Sequence, residues 1–189
     1  MSATAADVAA LKRQFPLLRG ASTERPLHYL DSANTSQKPD VVIDAMARFE
    51  REHYGPINRS AYRLAAEATE AFESARRNVA RFVNAPSADE VVFTKNATEA
   101  LNLFIQSWGA AHLTAGDVVV LTEMEHHANV VPWHLLSERV PIELRWVPAG
   151  ADGMLDLSDL DALLDGAKVF SFTAMSNVLG TITPVTELC

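Results

Sequence analysis

The sequence predicts an α/β domain built on a mostly parallel sheet with helices on both faces. After Pro86, short apolar segments alternate with segments whose apolar residues recur at helical spacing. Strands that alternate with helices are joined by crossover connections, which make the strands parallel and cover both faces of the sheet. The last six residues, PVTELC, predict the first turn of a helix, so the domain is expected to be incomplete at its carboxyl end.

Before Pro86 the sequence predicts three helices and one short strand. An amphipathic helix is predicted over 5–15, and a strand over 27–30 follows a turn-rich segment. From 40 to 53, apolar residues recur at helical spacing and predict a second helix. A one-sided apolar pattern over 61–83 predicts a third, longer helix.

After Pro86 four strands alternate with three helices. The predicted strands are 90–94, 118–122, 142–147 and 169–173, and the predicted helices are 98–108, 132–138 and 158–164, the last with Ser158 as its N-cap.

Composition and charge exclude several classes of protein. Sixteen basic and twenty-four acidic residues give a net charge of -8, which argues against a nucleic-acid surface. No apolar stretch reaches the length of a membrane span, and the start of the chain lacks the order of a signal peptide. The single cysteine, Cys189, allows no internal disulfide. A cytoplasmic protein is the expectation.

Polar residues cluster where three of the predicted strands end, which is where open α/β sheets bind ligands. After the strand at 90–94, Asn96 can cap a helix whose N–H groups form an anion site, and Thr98 can donate to a phosphate oxygen. An ordinary capped helix without a ligand explains the same residues. The segment lacks glycine, so neither a P-loop nor a dinucleotide fingerprint is predicted.

The second cluster, EMEHHAN at 123–129, contains two adjacent histidines. Adjacent residues do not share a helix face, so at most one of His126 and His127 is expected to point into a cleft. A zinc site is not indicated, because this spacing does not recur for zinc. Two interpretations stay open: an imidazole that stacks on an aromatic ring and transfers protons, or two solvated histidines at a helix start.

The third cluster, SNVLGT at 176–181, follows the last predicted strand. Asn177 offers one acceptor and two donors, which suit a ring oxygen or a substrate carboxylate. Turn chemistry alone also explains Asn and Gly there. Three such clusters at the strand ends of one sheet favour a ligand site more than any one of them does.

Five motifs together resemble a known family. In chain order they are YLDSA at 29–33, SQKP at 36–39, FTKNATEA at 93–100, MEHHANVVPW at 124–133 and SNVLG at 176–180. From about Phe15 onward the chain resembles the SufS-type cysteine desulfurases, in the class V group of fold-type I pyridoxal-phosphate enzymes. The resemblance implies the large domain of that fold from 39 to 189, and an N-terminal arm over 1–38 that packs on a smaller domain.

The resemblance also implies roles for individual residues. Ala97 and Thr98 match positions that hold the cofactor phosphate. His126 matches the catalytic imidazole that stacks on the cofactor ring and transfers protons. Asn177 matches an amide beside the cofactor's phenolic oxygen and the substrate carboxylate. Three further residues match positions that approach the substrate: Ala33, Asn58 (often a histidine in the family) and Arg59. No metal is implied.

The reaction implied by the resemblance uses pyridoxal 5'-phosphate, held by a lysine, to convert L-cysteine to L-alanine and an enzyme persulfide for iron-sulfur cluster assembly. The sequence ends before the family's cofactor-linking lysine and persulfide cysteine, so this chain alone is expected to be inactive. Cys189 lies upstream of the catalytic position and is predicted to be a small helix residue. The implied partners are a second copy, in a homodimer, and a sulfur-acceptor protein.

Two alternatives stay open. A selenocysteine lyase acting on L-selenocysteine, or another class V β-lyase, would share these motifs. A truncated, non-enzymatic protein that binds a partner is the other alternative. An open half-sheet argues against it, because exposed apolar edges and faces favour aggregation.

Overall fold

The computed structural model of the protein describes residues 5–20, 27–57 and 60–189. The chain divides into two compact units, Met1–Val92 and Phe93–Cys189. The division predicted at residue 38, between an arm and a large domain, stays a prediction. None of the described helices is long and apolar enough to cross a bilayer.

The first unit is helical over much of its described part. Its helices are α1 (Ala5–Lys12), α2 (Pro16–Arg19), α3 (Asp40–Glu52) and α4 (Arg63–Phe82). The helix predicted over 5–15 ends earlier, and Pro16 then occupies the first position of a separate short helix. The helices predicted over 40–53 and 61–83 are confirmed as α3 and α4.

The strand predicted over 27–30 is wrong. These residues have no regular secondary structure and join no sheet in the described part of the chain. A strand needs a hydrogen-bonded neighbour. The Tyr29 side chain instead closes the following turn, because its hydroxyl donates to the carbonyl oxygens of Asp31 and Thr35.

A three-stranded parallel sheet forms the centre of the second unit. Its strands are β1 (Val118–Thr122), β2 (Glu143–Val147) and β3 (Ala167–Ser171), in the order β2-β1-β3. Val120 lies opposite Arg145 on one side and Phe170 on the other. Every residue of β1 is buried, as expected for a central parallel strand.

Helices cover both faces of this sheet, as predicted. The α-helices and the π-helical turn of this unit are α5 (Ala97–Phe104), the π-helical turn (Ile105–Gly109), α6 (Ala110–His112), α7 (Val131–Ser137), α8 (Leu160–Leu164) and α9 (Val185–Leu188). Successive residues of a strand point to opposite faces. Val119 therefore packs with Ile105 and Trp133 on one face, whereas Val120 packs with the leucines of α8 on the other.

The strand predicted over 90–94 is also wrong. Ala88–Glu90 form a 3-10 turn, which Ser87 caps by accepting the Asp89 N–H at 3.1 Å. Residues 91–94 join no sheet in the described part of the chain, and Val92 is exposed. A run of residues that favour strands is therefore not sufficient for a strand when no neighbouring strand pairs with it.

Three elements end or begin at other residues than predicted. The helix predicted over 98–108 changes to π-helical geometry after Phe104. Ser158 is not the N-cap of α8, since its N–H donates to Asp156 at 3.0 Å and the helix begins at Leu160. The strand predicted over 169–173 lies two residues earlier, because the Thr173 N–H donates to a side chain rather than to a neighbouring strand.

At the amino end of the sheet, Asp117 connects β1 to β3. Its carboxylate accepts from the Lys168 ammonium at 2.9 Å and from the Thr114 N–H at 2.7 Å. The Lys168 hydrogen bond is the main cause that holds the pKa of Asp117 below its ordinary value, and the Thr114 N–H adds to it. Lys168 is therefore held in an ion pair at the opposite end of the strands from the predicted site.

Candidate functional site

Three loops open on one edge of the sheet in the second unit. They follow the carboxyl ends of β1, β2 and β3 and begin at residues 123, 148 and 172. Because the strands are parallel, these ends lie at the same edge. Ligands of open α/β sheets bind at this edge. Two of the three predicted polar clusters lie in these loops.

The remaining cluster forms the start of α5. Asn96 Oδ1 accepts from the Glu99 N–H at 2.9 Å, and the Glu99 carboxylate accepts from the Lys95 N–H at 2.8 Å. Neither bond uses the N–H groups of Ala97 and Thr98, two exposed residues of the first turn, where no intrahelical carbonyl can reach these groups. The Thr98 hydroxyl makes no hydrogen bond within the described residues. Such a helix start suits an anion.

His126 precedes the 3-10 turn His127–Asn129 and caps it. Its Nδ1 accepts from the Ala128 N–H at 3.0 Å. A ring nitrogen that accepts a hydrogen bond is unprotonated, so the neutral ring carries its proton on Nε2. The side chain is exposed, and Nε2 has no hydrogen-bond partner in the part of the chain that the structure describes. A flat ring face and one N–H are thus available to a ligand.

The two glutamates before His126 connect neighbouring loops. Glu123 accepts from the Ala149 N–H at 2.9 Å, in the loop after β2. Glu125 accepts from the Thr173 N–H at 2.7 Å, in the loop after β3. Both carboxylates are therefore occupied by backbone donors. Within residues 5–20, 27–57 and 60–189, no group of three or more His, Cys, Asp or Glu side chains could hold a metal.

Asn177 lies in a tight turn after β3. The Ser176 hydroxyl accepts from the Leu179 N–H at 3.1 Å, and Gly180 has a φ of +74°, a conformation that favours glycine. Turn chemistry therefore accounts for Ser176 and Gly180. The Asn177 side chain is exposed and makes no hydrogen bond within the described residues. Its amide is available to a ligand.

The structure places four of the predicted site residues in one unit: Ala97, Thr98, His126 and Asn177. Helix α5 contacts the 3-10 turn that follows His126. The hydrogen bond from Thr173 to Glu125 joins the His126 loop to the segment that leads into the Asn177 turn.

Of the three substrate-side predictions, only Ala33 lies within the described residues. Ala33 lies in the first unit, in a turn that the N–H groups of Asn34 and Thr35 close on the Asp31 carbonyl at 3.2 and 3.1 Å. A cleft of about 420 Å³ adjoins this turn, with Ser32 and Tyr29 in its lining. Asn58 and Arg59 lie outside the described residues. Their roles stay predictions.

Sequence reasoning missed a buried polar network beneath His126. Thr122 and Asn129 are 1% and 6% exposed. Asn129 Oδ1 accepts from the Ser171 hydroxyl at 2.9 Å and from Trp133 Nε1 at 3.3 Å. A hydroxyl in the otherwise apolar strand VVVLT was the available signal, since a buried hydroxyl needs a partner.

These features define a class: an α/β protein with an anion-suited helix start and polar loops at the carboxyl edge of a parallel sheet. The sequence profile of the family described as Aminotransferase class-V matches residues 28–189. The chain belongs to this class V aminotransferase family.

The curated proteins similar to this chain include two cysteine desulfurases. A cysteine desulfurase of Enterobacter sp. (strain 638) is 48% identical over 179 residues, which cover 94% of this chain and 44% of the relative. A cysteine desulfurase of Synechococcus elongatus is 45% identical over 183 residues, which cover 96% of this chain and 29% of the relative. The chain thus spans less than half the length of these relatives.

Solved structures agree with the fold prediction. The apo cysteine desulfurase of Thermococcus onnurineus NA1 superposes with a TM-score of 0.85 at 32% identity, over 95% of this chain and 43% of that one. The cysteine desulfurase CsdA of Escherichia coli gives a TM-score of 0.77 at 32% identity, over 95% and 44%. The predicted fold type is confirmed, and the narrower SufS type stays a prediction.

Proposed function

We propose that this chain is the amino-terminal part of a pyridoxal 5'-phosphate-dependent cysteine desulfurase. Such an enzyme converts L-cysteine to L-alanine and retains the sulfur as a persulfide, for an acceptor protein in iron-sulfur cluster assembly. The proposal rests on one observation: an anion-suited helix start, an exposed imidazole and an exposed amide lie in one unit, in which helix α5 contacts the turn that follows His126. Relatives named cysteine desulfurase, 48% identical in one case, support the reaction class. A cytoplasmic homodimer is part of this proposal.

The start of α5 suits the phosphate of the cofactor. Ala97 and Thr98 offer two backbone N–H groups, and Thr98 adds a hydroxyl without a partner in the described chain. These donors lie at the positive end of the helix dipole, which stabilises an anion. The Asn96 side chain already accepts from the Glu99 N–H and the Glu99 carboxylate from the Lys95 N–H, so they do not compete for the phosphate.

His126 suits both ring stacking and proton transfer. The Ala128 N–H holds Nδ1 as an acceptor at 3.0 Å, which keeps the exchangeable proton of the neutral ring on Nε2. In this tautomer the Nε2–H donates a hydrogen bond to the substrate; to take up a proton at Nε2, the ring must first release the Ala128 N–H and carry its own proton on Nδ1. The cofactor, when bound, supplies the electron sink for charge at the substrate α-carbon.

Asn177 and the substrate-side residues suit the polar ends of L-cysteine. The Asn177 amide can donate to the substrate carboxylate or to an oxygen of the cofactor. The guanidinium of Arg59 has the fork geometry that suits a carboxylate. Ala33 and Asn58 are assigned to the substrate side by the resemblance alone.

Thr98→Val is expected to weaken binding of pyridoxal 5'-phosphate by about tenfold to a hundredfold. The change keeps the side-chain shape and removes one hydrogen bond to a charged phosphate, worth roughly 1.5–3 kcal/mol. The measurement is an absorbance titration of the protein expressed from its whole natural reading frame. The same titration with pyridoxal, which lacks the phosphate, is expected to give equal affinities for wild type and variant.

Thr186→Val is the matched control, since Thr186 is exposed in α9 and its hydroxyl makes no hydrogen bond in the described chain. This variant should bind both ligands as the wild type does. Equal affinity of Thr98→Val and wild type for pyridoxal 5'-phosphate would contradict the phosphate site, and so would an equal loss for pyridoxal.

A further inference from the structure

The Glu125 carboxylate accepts hydrogen bonds from three separate segments. Oε1 accepts from the Thr122 hydroxyl, at the end of β1, and from the Thr173 N–H, after β3, both at 2.7 Å. Oε2 accepts from Asn129 Nδ2, in the 3-10 turn, at 2.8 Å. The side chain is part-buried, so these bonds are shielded from competing water. One carboxylate thus holds both ends of the loop that contains His126.

Asn129 extends this network into the core. Its Oδ1 accepts from Trp133 Nε1 at 3.3 Å and from the Ser171 hydroxyl at 2.9 Å. An indole N–H can only donate, so the oxygen of Asn129 must face Trp133 and its NH2 group must face Glu125. The orientation of the Asn129 amide is therefore fixed, and residue 125 must present an acceptor to it.

We propose that Glu125 is a positioning residue, which fixes the His126 imidazole and couples it to the segment leading to Asn177. Glu125 precedes His126 directly, and its bonds to Thr122 and Asn129 close the loop on both sides of the imidazole. Its bond to Thr173 sets where the chain leaves β3. The consequence of this positioning for the reaction rests on the proposed function, whereas the effect of Glu125 on the His126 imidazole does not.

With asparagine at position 129, the pattern of donors requires a carboxylate at position 125. In Glu125→Gln, the amide oxygen can still accept from Thr122 and Thr173, but the amide NH2 meets the NH2 of Asn129. Flipping the side-chain amide of Asn129 would relieve that conflict but would place its NH2 group against the Trp133 N–H. Neither orientation satisfies every group, and a buried polar group without a partner is costly.

The double variant Glu125→Gln/Asn129→Asp restores every pairing. The new amide at position 125 then donates to the new carboxylate at position 129, whose other oxygen accepts from Trp133 and Ser171. The oxygen of the new amide accepts from Thr122 and Thr173 as before. The net charge of the pair is unchanged, so the double variant separates the hydrogen-bond pattern from the charge.

The test uses the protein expressed from its whole natural reading frame, with histidine labelled in both ring nitrogens. His126→Asn identifies the His126 signals in the nitrogen NMR spectrum. In the wild type, Nδ1 is expected to resonate as an unprotonated nitrogen and Nε2 as a protonated one. In Glu125→Gln the chemical shifts of Nδ1 and Nε2 are expected to move toward each other, because the His126 tautomer is no longer fixed. The affinity of this variant for pyridoxal 5'-phosphate should fall about tenfold. The double variant should recover both values.

Glu123→Gln is the control, because Glu123 accepts only from the Ala149 N–H within the described chain and a glutamine oxygen can replace it. It should leave the His126 signals unchanged. A Glu125→Gln protein with a lower unfolding midpoint but wild-type His126 signals would overturn the positioning role and leave a structural one. So would a double variant that fails to recover. Absence of cofactor binding in the wild type, with the His126 shifts as expected, would count against the proposed function only.

Discussion

Trp133→Ala is expected to lower the free energy of unfolding by about 3–5 kcal/mol, the usual cost of removing a buried tryptophan side chain. Trp133 is 1% exposed and packs with Ile105, Val119 and Leu136 between the helices and the sheet. The change leaves a cavity in this core and also removes the indole N–H that Asn129 accepts. Urea denaturation followed by circular dichroism measures the loss.

Two variants test the reason for that loss. Trp133→Phe keeps most of the packing and removes the N–H, so it should lose less than the alanine variant. Trp108→Ala makes the same change at a residue that is 36% exposed and should cost clearly less. A similar loss for Trp108→Ala and Trp133→Ala would show that burial in this core is not what stabilises the unit.

His126→Asn is expected to lower kcat/KM for L-cysteine by about a hundredfold to ten-thousandfold, the usual contribution of a general acid or base. Asparagine is a good capping residue and can still accept from the Ala128 N–H, so the 3-10 turn should survive. Because the His126 side chain is exposed, the free energy of unfolding should change by less than about 0.5 kcal/mol.

His127→Asn is the matched control for this substitution. His127 is also an exposed imidazole, with its ring centre 6.3 Å from that of His126. We expect its replacement to leave kcat/KM within about twofold, since the resemblance assigns proton transfer to His126 alone and only a positioned group acts as a general acid or base. If His127→Asn lost as much activity as His126→Asn, the assignment of the two histidines would be wrong.

The parts of the fold that could be predicted are those with strong periodicity. The long one-sided patterns predicted α3 and α4, and the continuous apolar run at 118–122 predicted the buried central strand β1. The segments 27–30 and 90–94 have strand-like composition, but a strand also requires a partner, and pairing is a property of the whole fold. The early end of β3 depends on one side chain, that of Glu125, which is 48 residues away in sequence.

The candidate site likewise contains some features that could be predicted from the sequence and others that could not. The cap at Asn96 and Glu99 is local, and the spacing of these two residues could be recognised in the sequence. The roles of Glu123 and Glu125 could not be, because their partners Ala149 and Thr173 come from other loops. Two carboxylates beside two histidines do not by themselves indicate which distant backbone groups they bind.

The reaction of L-cysteine with the protein, expressed from its whole natural reading frame and loaded with pyridoxal 5'-phosphate, is the most direct test of the proposed function. The quantities to measure are L-alanine and protein-bound persulfide, before any reductant is added. A cysteine desulfurase forms one alanine for each persulfide, and a reductant then releases the sulfur as sulfide and allows further turnover. We expect this one-to-one ratio. Pyruvate with free sulfide in place of alanine, or no alanine at all, would contradict the proposed function.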